Sequence, residues 1–486
     1  MNETVFGFLQ DYTARGIYPF HMPGHKRNPL FLPPALMGMD ITEIPGADNL
    51  NQPEGMLLQL QARLARLFGA EETLLTVNGS TAGNLAVITQ LCGEGRPILM
   101  ARNAHRSAFG ALALAGPRPV YVMPAVTEYG FCGGVSAADV AARLEENPDV
   151  CAVFVTSPTY EGVVSDIAAI AAAAHARGIP LVVDEAHGAH MRFSDMFPRT
   201  ALECGADIVI QSLHKTMPFL TQTSVIHMQG DLIDRARLKK MLTILQTSSP
   251  SYVFMAQVDY VASMLEHEGA AMFRAYADRL SAFLASAKGL RHIRLLGLEN
   301  EIAGAHDVFA LDVNKLVFLL PNADTAGAMT GRDFELTLRD RFRVQLEMSG
   351  LAHGIALTSP ADTDEGFARL LAGVTALDAE MAAGGTPAYT CPVHLMPAPE
   401  IMLSPRAAVH RAAELVCLSE AEGRVAAEFL IPYPPGIPLA APGERLTNAV
   451  LDGAALCLAR GIPVVGLTQS AEGAYYVSVV EKDECE

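Results

Sequence analysis

The sequence predicts an α/β protein built on a mainly parallel sheet, followed by a smaller α+β domain and a C-terminal segment. Three observations predict it. Short apolar runs recur at 73–77, 97–100, 119–123, 150–156, 180–184 and 207–211, and helical stretches at 81–91, 136–144 and 167–177 separate several of them. Repeated alternation of this kind marks βα crossovers, whose strands are covered by helices. At 486 residues the chain is also too long for one ordinary core, which favours two to three domains.

Residues 1–55 are rich in Pro, Gly and polar side chains and are expected to form an N-terminal arm, with His21-Met22-Pro23-Gly24-His25-Lys26 inside it. Leu57, Leu60, Leu64 and Leu67 then share one face of a helix that stops at Gly69, opening a large domain over 56–285. The pattern weakens over 286–385 into a small α+β domain, with a helix expected at 332–341 and strands at 344–347 and 354–357. A Pro-rich stretch, 386–405, opens a C-terminal domain over 386–486. That domain contains the turn-rich run Ile431-Pro432-Tyr433-Pro434-Pro435-Gly436-Ile437-Pro438.

Half the residues are apolar, and 35 Lys and Arg stand against 53 Asp and Glu, a formal charge of -18. An acidic surface of this size disfavours nucleic acid and anionic membranes as partners. The eight cysteines are scattered without a C-x-x-C pair, which fits reduced thiols in a cytoplasm. The N-terminus carries no apolar signal region, and no apolar run approaches bilayer length. A soluble cytoplasmic protein without a metal centre is the expectation.

Open parallel sheets bind ligands beyond the carboxyl ends of their strands, so the residues following each predicted strand are the candidates. After 73–77 comes Asn78-Gly79-Ser80-Thr81-Ala82-Gly83-Asn84, a small-residue turn opening a helix. Backbone N–H groups at such a start, with the Ser80 and Thr81 hydroxyls, suit a phosphate; the same residues also make a plain capped turn. After 97–100 comes His105, placed to lie flat on an aromatic ring. The 180–184 strand runs straight into Asp184-Glu185-Ala186-His187-Gly188-Ala189-His190. A carboxylate at the end of a buried strand needs a cationic partner or hydrogen bonds, and a protonated pyridine nitrogen is one such partner. His187 could then orient Asp184 or reach the ring; a metal or salt-bridge site of His187, His190 and Asp184 is the competing reading. The 207–211 strand ends in Ser212-Leu213-His214-Lys215, which puts an amine where it can form an imine with an aldehyde. Lys215 and Asp184 at two strand ends are more specific together than either alone.

On these residues the chain resembles the fold type I pyridoxal-phosphate enzymes, whose large domain is aspartate-aminotransferase-like, and within them the bacterial ornithine, lysine and arginine decarboxylases. The likeness is carried by His21 to Lys26, Asp184 to His190, Ser212 to Lys215 and Pro432 to Pro438, and spans nearly the whole chain. It implies pyridoxal 5'-phosphate as cofactor, with Lys215 holding it as an imine, Asp184 on the pyridine nitrogen and His105 stacked on the ring. Gly79, Ser80, Thr81, Ser212 and His214 would surround the phosphate, with Thr247 or Ser248 reaching it from a second subunit. The resemblance further implies a homodimer or higher homo-oligomer with a shared active site, a basic amino acid as substrate, and a place in polyamine synthesis. Arginine is favoured over lysine and ornithine by likeness to short-form relatives. Asp48 and Glu347 are the acidic candidates for the distal cation of the substrate. With its Pro-Gly-His motif near residue 22, the chain is expected to lack the N-terminal wing of the long inducible forms. Asn51 and Gln52 stand where relatives often have histidine, and Thr216-Met217-Pro218-Phe219 where many have glycines; both bear on substrate identity more than on cofactor use. An aminotransferase or lyase using the same cofactor site, and an inactive regulatory homologue, are the competing functions.

Overall fold

The computed structural model describes residues 16–20, 26, 28, 30, 48–298, 302, 304–322, 328–381, 389, 396–433 and 436–482. Most of the expected arm, all of the His21 to Lys26 run except Lys26, much of the Pro-rich 386–405 stretch, and Pro434 and Pro435 lie outside them. The six predicted apolar runs are strands β1 (Glu72–Thr76), β2 (Pro97–Ala101), β3 (Arg118–Val122), β4 (Val153–Thr156), β5 (Leu181–Asp184) and β6 (Ile208–Ser212). A seventh, β7 (Ser224–Met228), joins them in one sheet of order β1-β7-β6-β5-β4-β2-β3. From β6 to β3 all pairings are parallel. β7 runs antiparallel to both neighbours, β1 and β6, so the other six strands share one direction.

Alternate side chains of these strands enter two different cores, as the two-residue period of a strand requires. Ile98, Met100, Val182, Ile208 and Ile210 pack under α2 (Gly79–Leu91) and α3 (Arg106–Ala115). Leu99, Leu181, Val183 and Val209 pack under α4 (Ala137–Glu146) and α5 (Ile167–His175). A sheet covered on both faces leaves only its strand ends open to ligand.

The expected first helix is α1 (Met56–Phe68), ended by Gly69 at φ 77, a left-handed conformation that glycine adopts without Cβ strain. The unpredicted helices include α3, α6 (Arg235–Leu245) and the 36-residue α7 (Tyr252–Ala287). α7 buries Val258, Leu265, Phe273 and Leu280 in the core that also holds Leu60 and Leu64 of α1. That same core takes in Leu316, Phe318, Leu338 and Leu370 of the following region. There, β8 (Arg294–Leu295), β9 (Lys315–Leu319), β10 (Met348–Ser349) and β11 (His353–Leu357) form an antiparallel sheet of order β8-β9-β11-β10. The expected helix is α8 (Gly331–Phe342), opened by a Thr330–Asp333 capping box, and α9 (Asp364–Glu380) follows. The 344–347 expectation resolves into Val344–Leu346, which pairs in parallel with Tyr18–Phe20.

The C-terminal region carries a three-stranded antiparallel sheet in which Tyr475–Val480 lies between Ala413–Cys417 and Leu467–Gln469. A buried ion pair, Arg102 with Glu444 at 2.9 Å, ties this region to the end of β2. One composition-based expectation needs correction: Cys92 and Cys151 form a disulfide, with Cα atoms 6.2 Å apart. Cys92 ends α2 and Cys151 precedes β4, where its N–H donates to the Pro97 carbonyl at 3.0 Å. No described helix is long and apolar enough to cross a membrane.

Candidate active site

Because six strands point the same way, the residues after β1, β2, β4, β5 and β6 arrive at one edge. They line a cavity of about 310 Å³ that includes Asn78, Ser80, His105, Thr156, Asp184, His187, Ser212, His214 and Lys215. Gly79 and Thr81 line it as well.

At one end lies the start of α2. Asn78 occupies the N-cap position, yet its side chain does not cap the helix; its Oδ1 accepts the Thr247 N–H at 3.2 Å. The Gly79 N–H donates to the Gln222 carbonyl at 2.8 Å, and the following N–H groups of the first turn of α2 have no side-chain cap, the arrangement that binds anions. Ser80 and Ser212 bring their hydroxyls to 2.7 Å of each other across β1 and β6. His214 donates from Nδ1 to the Thr223 carbonyl at 3.0 Å. Burial pushes its imidazole down to about 4, with the Thr223 contact opposing and Lys215 reinforcing. Its Nε2 therefore meets an anion as a donor only when the ring takes a second proton.

At the other end, Asp184 Oδ2 accepts from Asn84 Nδ2 at 2.8 Å and Oδ1 from the Ala186 N–H at 3.1 Å. Asn84 also donates to Ser107 Oγ at 2.9 Å, and that hydroxyl lies 2.8 Å from His105 Nδ1. His105 Nδ1 accepts the Ser107 N–H too, at 3.3 Å, so the neutral ring carries its proton on Nε2. Burial holds His105 down to about 4, Asp184 opposing and Lys215 and Arg106 adding to the shift. Asn84, to which the sequence assigned no role, links the two predicted residues.

Lys215 is half-buried, with Nζ 2.9 Å from His187 Nε2 and 5.4 Å from the centroid of the Tyr160 ring. Burial lowers its pKa, and Lys315 lowers it further, while Asp184 and Glu347 pull the other way. Burial likewise holds His187 well below the usual histidine range, with Lys215 the next cause. A neutral imidazole accepting from an amine of lowered pKa leaves Lys215 able to act as a nucleophile.

Four buried polar atoms of the lining lack a partner: Asn84 Oδ1, Asn103 Oδ1, Thr156 Oγ1 and His187 Nδ1. Buried groups of this kind are costly unless a ligand meets them. With the uncapped helix start, an amine and a carboxylate in one cavity, they fit a polar aromatic aldehyde bearing a phosphate. The metal alternative fails on geometry, because His190 turns to Asp312 at 3.0 Å, a carboxylate that also pairs with Lys315.

The remaining expectations fall outside the cavity lining. Asp48 takes a different role from the one expected of it. Its carboxylate accepts the N–H groups of Asn49, Glu54, Gly55 and Leu57 and so caps the entry to α1. Burial pushes that carboxyl up, but these four donors outweigh it and hold it below the usual range. Thr247 is exposed, and its carbonyl accepts from Asn51 Nδ2 at 3.1 Å. Glu347 is half-buried and acts on Lys215 and Tyr160 through its charge. Sequence reasoning missed Asn84, Tyr160 and the cavity contribution of Tyr433, Gly436 and Ile437. Tyr160 follows β4, so the strand-end rule itself pointed to it.

A family model described as the Orn/Lys/Arg decarboxylase major domain matches residues 4–315, and one described as the C-terminal domain of the same family matches 393–456. An arginine decarboxylase of Bacillus subtilis is 31% identical over 466 residues, covering 94% of each chain. The lysine decarboxylase LdcA of Pseudomonas aeruginosa is 24% identical over 554 residues, covering 91% of this chain and 74% of its own. Among solved structures, the constitutive lysine decarboxylase of E. coli superposes with a TM-score of 0.76 at 21% identity, over 95% of this chain and 79% of its own. With the Lys215 and Asp184 geometry in place, these likenesses make the chain a member of the Orn/Lys/Arg decarboxylase family, the fold type I amino-acid decarboxylases that depend on pyridoxal phosphate.

Proposed function

We propose that the protein removes the α-carboxyl group of arginine, in preference to lysine or ornithine, giving the corresponding amine and CO2 in polyamine-related metabolism. The observation that carries the reading is the convergence of Lys215, Asp184 and the α2 start on one cavity in a chain of this family. Preference for arginine is supported by the higher identity to the arginine decarboxylase than to the lysine decarboxylase.

When bound, pyridoxal phosphate supplies an electron-poor ring that accepts the electron pair left by departing CO2. The residues of this chain do the rest. The first turn of α2 with Ser80, Thr81 and Ser212 holds the phosphate end, and Gly79 lets the backbone approach it. Asp184, fixed by Asn84 and the Ala186 N–H, holds a proton on the ring nitrogen and keeps the ring cationic. His105 forms a flat wall, its orientation set by Ser107. His187 and the Lys215 amine, 2.9 Å apart, carry the proton that the α-carbon receives after CO2 has left. Glu347 is the acidic group for the distal cation, supported by its electrostatic reach to Lys215.

The chain is further proposed to act in the cytoplasm as a homodimer with shared sites, divided into 1–55, 56–285, 286–385 and 386–486. The exposed position of Thr247 beside Asn78 suits a contact with a neighbouring subunit. Incubation with arginine, lysine and ornithine, with trapping of released CO2, tests the reaction: no CO2 from any of them would sink it in favour of an aminotransferase or another lyase. Borohydride reduction and peptide mapping test the cofactor site, with a pyridoxyl adduct expected on Lys215 and nowhere else.

A further inference from the structure

The C-terminal region contributes a wall to the cavity that holds Lys215. Tyr433, Gly436 and Ile437 line it alongside residues of the large sheet. Gly436 sits at φ +90, and a Cβ there would lie 3.6 Å from the Tyr433 ring and 4.0 Å from His105 Cδ2. A bare backbone thus separates the two rings, and a side chain at 436 would be strained by the dihedral as well. Tyr433 keeps 55% of its surface exposed even though its N–H is tied to the Pro463 carbonyl at 3.0 Å. Its backbone is fixed while its ring face stays available.

One buried cation registers both rings. Arg102 lies three residues before His105 and is 0% exposed; its Nη1 donates to the Pro438 carbonyl at 2.9 Å and its Nη2 to that of Leu439 at 3.4 Å. Glu444 accepts from the same Nη2 at 2.9 Å and also from the Ala441 N–H at 2.9 Å. The loop leaving the cavity after Ile437 is therefore clamped to the loop that carries His105. Tyr433 and Tyr160 line the same cavity, and the centroid of the Tyr160 ring lies 5.4 Å from Lys215 Nζ.

We propose that Tyr433 is a specificity-determining residue: its ring takes the distal cation and methylene arm of a basic amino acid whose α-amino end is at Lys215, with Arg102 and Glu444 as its positioning pair. A cation against an exposed aromatic face gains enough to change affinity about two- to fivefold. The inference rests on the proposed decarboxylation of a basic amino acid and deepens it.

The test compares Tyr433→Phe and Tyr433→Ala with the parent holoenzyme, by steady-state kinetics on arginine, lysine and ornithine and by cofactor absorbance. Tyr433→Ala is expected to raise KM for the best substrate about two- to fivefold, with kcat within about twofold and the cofactor band unchanged. Tyr433→Phe keeps the ring and is expected to keep the parent KM. An unchanged KM in Tyr433→Ala, a fall in kcat alone, or equal damage from Phe and Ala overturns the assignment. If the parent releases no CO2 from any of the three, the decarboxylation reading fails separately. The same variants are then titrated with arginine by cofactor absorbance: weaker binding to Tyr433→Ala supports the site, and equal binding or no response overturns it.

Discussion

Glu444→Gln is the most informative perturbation of the fold, because it removes one charge from a pair that has no water to turn to. Arg102 is 0% exposed and Glu444 3%, at 2.9 Å. After the substitution the guanidinium keeps two carbonyl acceptors and the ring faces of Phe109 and Tyr121, whose centroids lie 5.1 and 5.5 Å away. Breaking a buried pair from one side costs about 3–5 kcal/mol, and the surviving ring contacts hold the loss near the lower end, about 3 kcal/mol. Arg102→Met leaves the Glu444 carboxylate with the Ala441 N–H and is expected to cost about as much. The double variant carries no stranded charge, so its loss should fall about 2–3 kcal/mol short of the sum. The chain has no Trp, so urea unfolding is best followed by far-UV circular dichroism at constant protein and cofactor concentration. Single losses under about 1 kcal/mol, or strict additivity, would show that the pair is not sealed from water and would refute the clamp.

Asp184→Asn should lower kcat about 10²–10³-fold while the cofactor band persists, since the cradle and Lys215 are untouched; loss of the cofactor instead would place Asp184 in binding rather than electronics. Asp48→Ala should cost about 1 kcal/mol in unfolding free energy through the lost α1 cap and leave KM for arginine unchanged, whereas a raised KM would return it to substrate binding. Glu185 is buried between Gln211 Nε2 and the Ala201 N–H, and burial pushes its carboxyl up to about 8. Its folded pKa lies above its unfolded value, so its contribution to stability is complete below about 4.5 and is lost as pH rises to about 8. Glu185→Gln cannot lose a proton and should therefore gain on the parent by about 1.4 kcal/mol per pH unit between pH 5 and 8, read from urea midpoints; parallel curves would contradict the raised value.

What was legible in the sequence followed from local pattern. The runs that became β1 to β6 are apolar and short, and Asp184 and Lys215 stand directly at their ends, so the strand-end rule found them without tertiary information. The features that escaped depend on distant partners. β7 (Ser-Val-Ile-His-Met) carries a histidine, His227, that breaks the apolar run; Thr73 and Gln211 meet that ring in the fold at 2.7 and 3.1 Å. Arg106–Ala115 is Ala- and Gly-rich, with too little contrast between its faces to mark a helix. Asp48 looked available for a cation because its helix begins eight residues later, and only the intervening turn brings the Leu57 N–H to it. Tyr433 is more than three hundred residues from His105, and no periodicity signals that encounter.

The antiparallel strand β7 sets the order in which the protein can be made. β1 is synthesised first, yet its sheet partner is β7, some 150 residues later, and β7 in turn pairs with β6. On the ribosome, Ser80 therefore waits for Ser212 until the chain has passed Met228. Closing so long a loop is slow, and until then the β1 edge and the start of α2 stay unsheltered. The phosphate cradle is complete only once the sheet is, so a nascent chain has no competent cofactor site before its large sheet has closed. Cofactor supplied during synthesis would capture that late state and speed maturation of the later chain little, because everything it needs from the large sheet has by then been translated.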